Sequence, residues 1–109
     1  MMFKQKEIVL IPFPYTDLTG NKLRPALIVS NDKLNKTDDR LCVLVTSNKS
    51  DNSIKISKKD QVNGKLVFES FVKPHRLFTI DKKIINKSLC TISSDFHNLI
   101  IRKINDLLK

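Results

Sequence analysis

The apolar residues of this chain fall into short runs that are rich in β-branched side chains and separated by turn-forming residues. Such runs favour extended strands over helices. Six stretches fit the pattern, at residues 7–15, 25–30, 40–46, 53–57, 66–73 and 88–92. Six short strands within 109 residues predict a mostly-β chain that folds as a small antiparallel barrel.

The end of the chain follows a different period. From Ser93 onward, apolar residues recur at spacings of three and four, at Phe96, Leu99, Ile100, Ile104, Leu107 and Leu108. This spacing predicts an amphipathic C-terminal helix that packs on the sheet, with Ser93 or Ser94 as its N-cap. We expect His97 to face the polar side of this helix and assign it no role. Residues 81–87 are expected to form a helical turn or two.

Composition limits the class of protein. The chain is 40% apolar and 28% charged, which is compatible with a folded core and unlike a disordered chain. No uncharged stretch approaches the roughly 20 residues of a membrane-spanning helix, and the first residues lack the features of a signal peptide. We therefore expect a cytoplasmic protein without a membrane partner. No linker or repeat is visible, so residues 1–109 are expected to form one domain.

Cysteine and histidine are scarce in this sequence. Cys42 and Cys90 lie in apolar stretches, and no C-x-x-C pair or histidine at metal-ligand spacing occurs. Only two glycines are present, so a glycine-rich phosphate loop is excluded. We expect two reduced, buried thiols, no bound metal and no other cofactor.

The formal net charge is +9. A basic excess of this size on a small domain indicates a polyanionic partner, either a nucleic acid or an acidic protein. A second explanation stays open at this point. The chain has sixteen lysines and four arginines beside nine asparagines and twelve isoleucines, a mixture that AT-rich codons produce without selection for binding.

The candidates for chemistry lie at the ends of predicted strands. Arg24 stands where a polar loop meets a strand, and its guanidinium is suited either to phosphate oxygens or to plain solvation. Thr46 and Ser47 follow an apolar strand, where hydroxyls present donors to an oxyanion or begin a turn. Residues 73–76 bring cationic groups together with His75, which is either a general base or an exposed histidine.

Several motifs of the chain occur in the order seen in one known family. They are EIVLIPFPYTDLTG (residues 7–20), KLRPALIVS (22–30), VLVTS (43–47), ESFV (69–72), LFTIDK (77–82) and LCTI (89–92). Together they resemble the PemK/MazF toxins of toxin–antitoxin systems, over most of the chain. The resemblance implies an SH3-like antiparallel barrel with a C-terminal helix, assembled as a homodimer.

The same resemblance implies an activity and two partners. Such toxins are metal-independent endoribonucleases that cut single-stranded RNA at short motifs and thereby inhibit translation and growth. Their catalytic arginine and threonine match Arg24 and Thr46, and attack by the RNA 2′-hydroxyl would leave a 2′,3′-cyclic phosphate. An antitoxin with an acidic, partly disordered segment would cover the RNA-binding surface. The charge of +9 fits both partners.

One segment departs from the family pattern. Some members carry a basic residue, an acidic residue two positions later and then glutamine, where this chain has Lys73, His75 and Arg76. We keep His75 as the candidate general base and expect a different cleavage-site preference. The residues expected to bind RNA are Thr16, Asp17, Lys22, Ser47, Lys73 and Arg76.

Two other functions stay open. A catalytically inert barrel of the same fold would bind nucleic acid without cleaving it. Gyrase-poisoning toxins of the CcdB type resemble this fold but end in Trp-Gly-Ile, whereas this chain contains no tryptophan and ends at Asp106-Leu-Leu-Lys109.

Overall fold

The computed structural model of the chain describes residues 2–12 and 22–109. These residues contain seven strands and two α-helices. The strands are β1 (Glu7–Pro12), β2 (Leu23–Ile28), β3 (Asp39–Thr46), β4 (Ile54–Ile56), β5 (Gln61–Gly64), β6 (Ser70–Asp81) and β7 (Lys87–Ile92), and the helices are α1 (Asp32–Asn35) and α2 (Ser94–Leu107). Single 3-10 turns occupy Lys58–Asp60 and Lys82–Ile84.

The described strands form one antiparallel sheet in the order β4-β6-β3-β2-β1-β7-β5. The two outermost strands, β4 and β5, are neighbours in sequence and are joined through the short turn at Lys58–Asp60. The sheet therefore curls until its two edges approach, which gives a nearly closed barrel. This architecture, with the C-terminal helix α2 packed against it, confirms the predicted fold class.

The buried side chains divide into two clusters, one on each face of the sheet. The helix-side core joins Phe96, Ile100 and Ile104 of α2 to strand residues Ile8, Leu27, Val43, Val45, Val72 and Ile92. The second core contains Val9, Ile11, Ala26, Ile28, Cys42, Leu44, Ile80 and Ile85. Because strand side chains alternate between faces, the central strand β3 is buried on both.

Arg40 is fully buried at the start of β3. Its guanidinium donates to four backbone carbonyls, those of Met2 and Phe3 in the N-terminal segment and those of Thr37 and Asp39 beside it, at 2.8–2.9 Å. Buried charges are tolerated when hydrogen bonds satisfy them. Arg40 therefore fastens the N-terminal segment to the central strand.

The N-terminal segment also reaches α2. The backbone N–H of Lys6 donates to the Ile28 carbonyl at 2.9 Å, and its ammonium donates to the Ser94 hydroxyl at 2.8 Å. Phe3 and Lys6 have φ values of 61° and 79°, in the left-handed region, which costs roughly 1–2 kcal/mol per residue outside glycine. The tertiary hydrogen bonds offset this strain.

The course of β6 corrects one sequence prediction. The sequence pattern predicts a strand over residues 66–73, but β6 begins only at Ser70 and extends to Asp81. β6 then continues through Pro74, which has no partner residue in either neighbouring strand. The missing N–H of the proline therefore costs no ladder hydrogen bond.

The helices bring one confirmation and one correction. Ser93, the first of the two predicted candidates, caps α2, its hydroxyl accepting from the Phe96 N–H at 3.1 Å. The sequence pattern predicts no helix between the strands at 25–30 and 40–46, so the short helix α1 is a correction. The Asn31 side chain instead caps α1 by accepting from the Leu34 N–H at 3.2 Å.

His97 lies inside the protein and not on the polar side of α2, where the sequence predicted it. The side chain is only 4% exposed, because the N-terminal segment passes over this part of the helix and lines the same cavity with Gln5 and Lys6. Its Nε2 has no hydrogen-bond partner among the described residues. Burial, followed by the positive charge of Lys6, lowers the pKa of His97 below its ordinary value of 6.5.

We expect Arg40→Met to lower the free energy of unfolding by about 3 kcal/mol, because four backbone carbonyls lose the buried guanidinium that donates to them. The measurement is chemical denaturation followed by circular dichroism. Arg102→Met, which removes an exposed arginine on α2, is the matched control and should leave stability within about 0.5 kcal/mol of wild type. Equal free energies of unfolding for the two variants would show that the hydrogen bonds of Arg40 do not stabilise the fold.

We expect His97 to make the protein less stable in mild acid. The pKa of His97 is lowered in the folded protein. Below the unfolded pKa of about 6.5, His97 therefore binds a proton in the unfolded chain before it does so in the folded chain. Stability is therefore unaffected above that pH and falls as the pH drops towards the folded pKa. The measurement is the denaturation midpoint between about pH 7.5 and about pH 5. Over this range the midpoint should fall less for His97→Gln than for the wild type or for the control variant His75→Gln. Parallel curves of midpoint against pH for the three proteins would contradict this assignment.

Candidate strand-end site

Arg24 lies near the start of β2, on the face of the second core. It pairs with Ile11 of β1, and Ile11 belongs to that core. Ala26, two residues further along β2, belongs to the same core. Arg24 therefore continues an apolar row of side chains to the end of its strand, where the row becomes polar.

Thr46 ends the neighbouring strand β3 on the same face and at the same end of the sheet. Ala26 of β2 pairs with Leu44 of β3. In an antiparallel pair, two steps back along one strand match two steps forward along the other. Continued two residues beyond this last pair, the register would bring Arg24 level with Thr46, a residue distant from it in sequence.

Lys73 adds a second cation to this group. It lies in β6 opposite Leu44 of β3, and directly opposite residues of a sheet share a face. Lys73 thus lies on the face of Thr46, one strand further from Arg24. We call Arg24, Thr46 and Lys73 the strand-end site. Its two cations and one hydroxyl are groups that bind phosphate oxygens.

The Thr46 hydroxyl has a defined orientation. Its oxygen accepts a hydrogen bond from the Asn48 backbone N–H at 3.1 Å, so Thr46 does begin the turn that the sequence also allowed. A hydroxyl that accepts one bond keeps its proton free to donate. The turn and a donor role for Thr46 are therefore compatible. Ser47, the next residue, is exposed.

The Arg24 guanidinium is incompletely satisfied. Its Nε is buried without a hydrogen-bond partner among the described residues, while the residue as a whole is half-buried. A buried unpaired donor costs about 1–3 kcal/mol. The contrast with Arg40 is clear, since Arg40 donates to four carbonyls. Arg24 thus holds a donor for which the described residues provide no acceptor.

His75 and Arg76 lie in a bulge of β6. The consecutive residues Val43 and Leu44 of β3 pair with Leu77 and Lys73, so residues 74–76 have no partners in β3. Both His75 and Arg76 are exposed. His75 lines a cavity between β6, α2 and the loop after β3, and neither Arg24 nor Thr46 lines that cavity. The structure therefore groups His75 with a different surface from the strand-end site.

The remaining sequence candidates are distributed as follows. Lys22 is exposed immediately before β2, whereas Thr16 and Asp17 lie outside the described residues. Cys42 and Cys90 are buried free thiols. Burial raises the pKa of Cys42 to about 12, despite the opposing charge of Arg40, and that of Cys90 to about 11. Neither thiol is therefore suited to act as a nucleophile near neutral pH.

Two further properties concern the described part of the chain as a whole. It contains no group of three or more histidine, cysteine, aspartate or glutamate side chains placed to hold a metal ion. Over residues 2–12 and 22–109, no helix has the length and apolar character needed to cross a membrane.

Fold and site together define a small basic β-barrel with a C-terminal helix and with cationic and hydroxyl side chains at its strand ends. The sequence matches a family described as PemK-like, MazF-like toxin of type II toxin–antitoxin system over residues 4–108. The chain belongs to this family. Comparison with curated protein sequences gave no significant match.

Solved structures with the same fold span nearly the whole chain. A MazE–MazF crystal structure from Deinococcus radiodurans has a TM-score of 0.77 at 20% identity, covering 99% of this chain and 97% of the other. An endoribonuclease from Mycobacterial species has a TM-score of 0.76 at 19% identity, covering 97% and 90%. An endoribonuclease bound to its cognate antitoxin, also from Mycobacterial species, has a TM-score of 0.71 at 18% identity, covering 97% and 94%.

We expect Arg24→Met to leave the free energy of unfolding unchanged or to raise it by up to about 1 kcal/mol, because it removes a buried donor that has no partner among the described residues and retains the apolar stem. Chemical denaturation beside Arg40→Met provides the comparison, since the same substitution is destabilising where the donors are paired. A loss at Arg24 as large as the loss at Arg40 would mean that Arg24 supports the fold.

Proposed function

We propose that this chain is a toxin that cleaves single-stranded RNA at short sequence motifs without a metal ion. The alignment of Arg24 with Thr46 at one end and on one face of the sheet carries the proposal. Membership of the MazF-like toxin family and structural neighbours described as endoribonucleases support it. A net charge of +9 suits a polyanionic substrate.

The proposed reaction uses a nucleophile that the RNA supplies. The 2′-oxygen of a ribose attacks the adjacent phosphorus while its proton is removed, and the bond from phosphorus to the 5′-oxygen breaks as that oxygen gains a proton. The products are a 2′,3′-cyclic phosphate and a free 5′-hydroxyl. The protein has to orient the attacking group, stabilise the added negative charge and assist the two proton transfers.

The strand-end site has groups for the electrostatic part of this task. Arg24 donates paired, charge-assisted hydrogen bonds to the non-bridging phosphate oxygens, and its Nε–H, which has no partner among the described residues, gains an acceptor when RNA binds. Thr46 donates its free hydroxyl proton to the same phosphate. Lys73, on the same face, attracts the phosphate or its neighbour. These groups stabilise charge that develops in the transition state.

The residue that accepts the proton of the 2′-hydroxyl is assigned from the sequence alone. The sequence predicts His75, whose imidazole has the right chemistry, and that assignment remains a prediction. Its side chain lines the cavity beside α2, which favours a role in binding over proton transfer. The two roles give opposite results in the experiments described below.

The partners follow from the charge and the family. We propose that Lys22, Ser47 and Arg76 extend the RNA contact around the strand-end site, together with Thr16 and Asp17. We also propose an antitoxin that covers this basic surface with an acidic segment, and a toxin that acts as a cytoplasmic homodimer. RNA and antitoxin would then exclude each other, because each requires the same cationic groups.

RNA cleavage in the presence of EDTA tests the proposal. Arg24→Ala and Thr46→Val should each lower the rate by about 10²–10³-fold, as expected for the loss of one transition-state donor. Mass spectrometry should identify the 2′,3′-cyclic phosphate. The control variant Arg102→Ala removes an exposed arginine on α2 and so loses the same charge as Arg24→Ala. It should cleave RNA at the wild-type rate.

The contrary outcome is equally specific. If folded wild-type protein binds a broad panel of RNAs without cutting them, the protein is an inert nucleic-acid-binding barrel. Binding would then weaken steeply with salt, and Arg24→Ala would reduce affinity with no activity to lose.

A further inference from the structure

The bulge in β6 connects the strand-end site to a second concave surface. Lys73 lies on the face of Arg24 and Thr46, whereas His75, two residues later, lines a cavity of about 360 Å³. Two residues of backbone span at most about 7 Å. The loop after β3 makes a second connection, since it starts at Thr46 and reaches the cavity at Asp51.

The cavity combines apolar walls with a polar rim. Ile54, Pro74 and Leu107 provide the apolar part, from β4, the bulge and the end of α2. Its rim carries both hydrogen-bond donors and acceptors, from Asp51, Asn52, His75, Lys103 and Asp106. The volume is at the lower end of the range for small-molecule sites, which suits a single small, flat group.

Two carboxylates in this cavity are notable in a chain of net charge +9. Asp51 forms no ion pair among the described residues, and Asp106 approaches only Lys109, at 4.0 Å between exposed side chains. An exposed pair of this kind contributes little to stability. The carboxylates are therefore free to accept hydrogen bonds from a ligand.

We infer that this cavity binds the base of a nucleotide next to the cleaved phosphate, with His75 stacking on the base and a carboxylate reading its edge. Single-stranded RNA is recognised by stacking of splayed bases and by hydrogen bonds to their edges. A carboxylate accepts only, so it selects bases with amino groups. Guanine fits best, because its ring N–H and amino group can both donate to one carboxylate. The inference rests on the proposed RNA substrate.

Binding of free nucleotides tests the cavity without requiring cleavage. In NMR titrations of the wild-type protein, 5′-GMP should shift the resonances of His75 and of residues 51–53 at lower concentration than 5′-UMP does. The double variant Asp51→Asn/Asp106→Asn should weaken GMP binding roughly tenfold and leave UMP binding unchanged. Asp32→Asn/Asp95→Asn, which removes two acids from the first turns of α1 and α2, controls for net charge.

Cleavage by His75 variants tests the role of the imidazole. His75→Phe keeps the aromatic face but cannot move a proton, whereas His75→Ala lacks both properties. We expect His75→Ala to raise KM roughly tenfold, and His75→Phe, which keeps the stacking face, to restore KM towards the wild-type value. A loss of kcat in both variants, with the low-pH limb of the profile abolished, would make His75 the general base and overturn the inference.

The two proposals fail in different ways. If the wild type cleaves RNA but GMP and UMP bind equally, or shift residues elsewhere, the base-binding cavity is wrong and the ribonuclease stands. If the wild type cleaves nothing while GMP still binds the cavity selectively, the ribonuclease is wrong and the cavity stands as a base-binding surface.

Discussion

The hydrogen bonds of Arg40 hold the rest of the structure in register. β3 is apolar on both faces, so its hydrophobic pattern cannot by itself distinguish one register from another. Arg40 supplies a distinction, because a shifted strand would carry its buried charge away from the Met2 and Phe3 carbonyls, two of the four that now accept from it. The same bonds close the strained N-terminal segment over the sheet, where that segment covers His97 and reaches Ser94 at the start of α2.

The strand-end site depends on this register. Arg24 and Thr46 come level only because β2 and β3 pair as they do, and Lys73 joins them through the pairing of β3 with β6. The residues that stabilise the fold and the residues of the strand-end site occupy different parts of the same rows of side chains. Each row is apolar in the second core and polar at its end, and a buried donor of Arg24 has no partner among the described residues at the position where an anion would accept from it.

The apolar runs were sufficient to predict the barrel, the C-terminal helix and the Ser93 cap, because these follow from local patterns. The length of β6 was not predictable, because Pro74 interrupts the strand signal and only the structure shows that its N–H has no partner to lose. His97 was misplaced because the N-terminal segment, distant in sequence, covers it. Arg24 and Thr46 were identified by resemblance, whereas Asp51 and Asp106 belong to no motif and become neighbours only through the fold.

The bulge in β6 has a consequence for how such a protein can diverge. The pairings on either side of it, Leu44 with Lys73 and Val43 with Leu77, are each held by β3, so residues 74–76 belong to neither ladder. Neither register depends on a pairing of these residues. His75 and Arg76, at which this chain departs from the family pattern, are therefore positions that evolution can vary without rebuilding the ladders of the barrel.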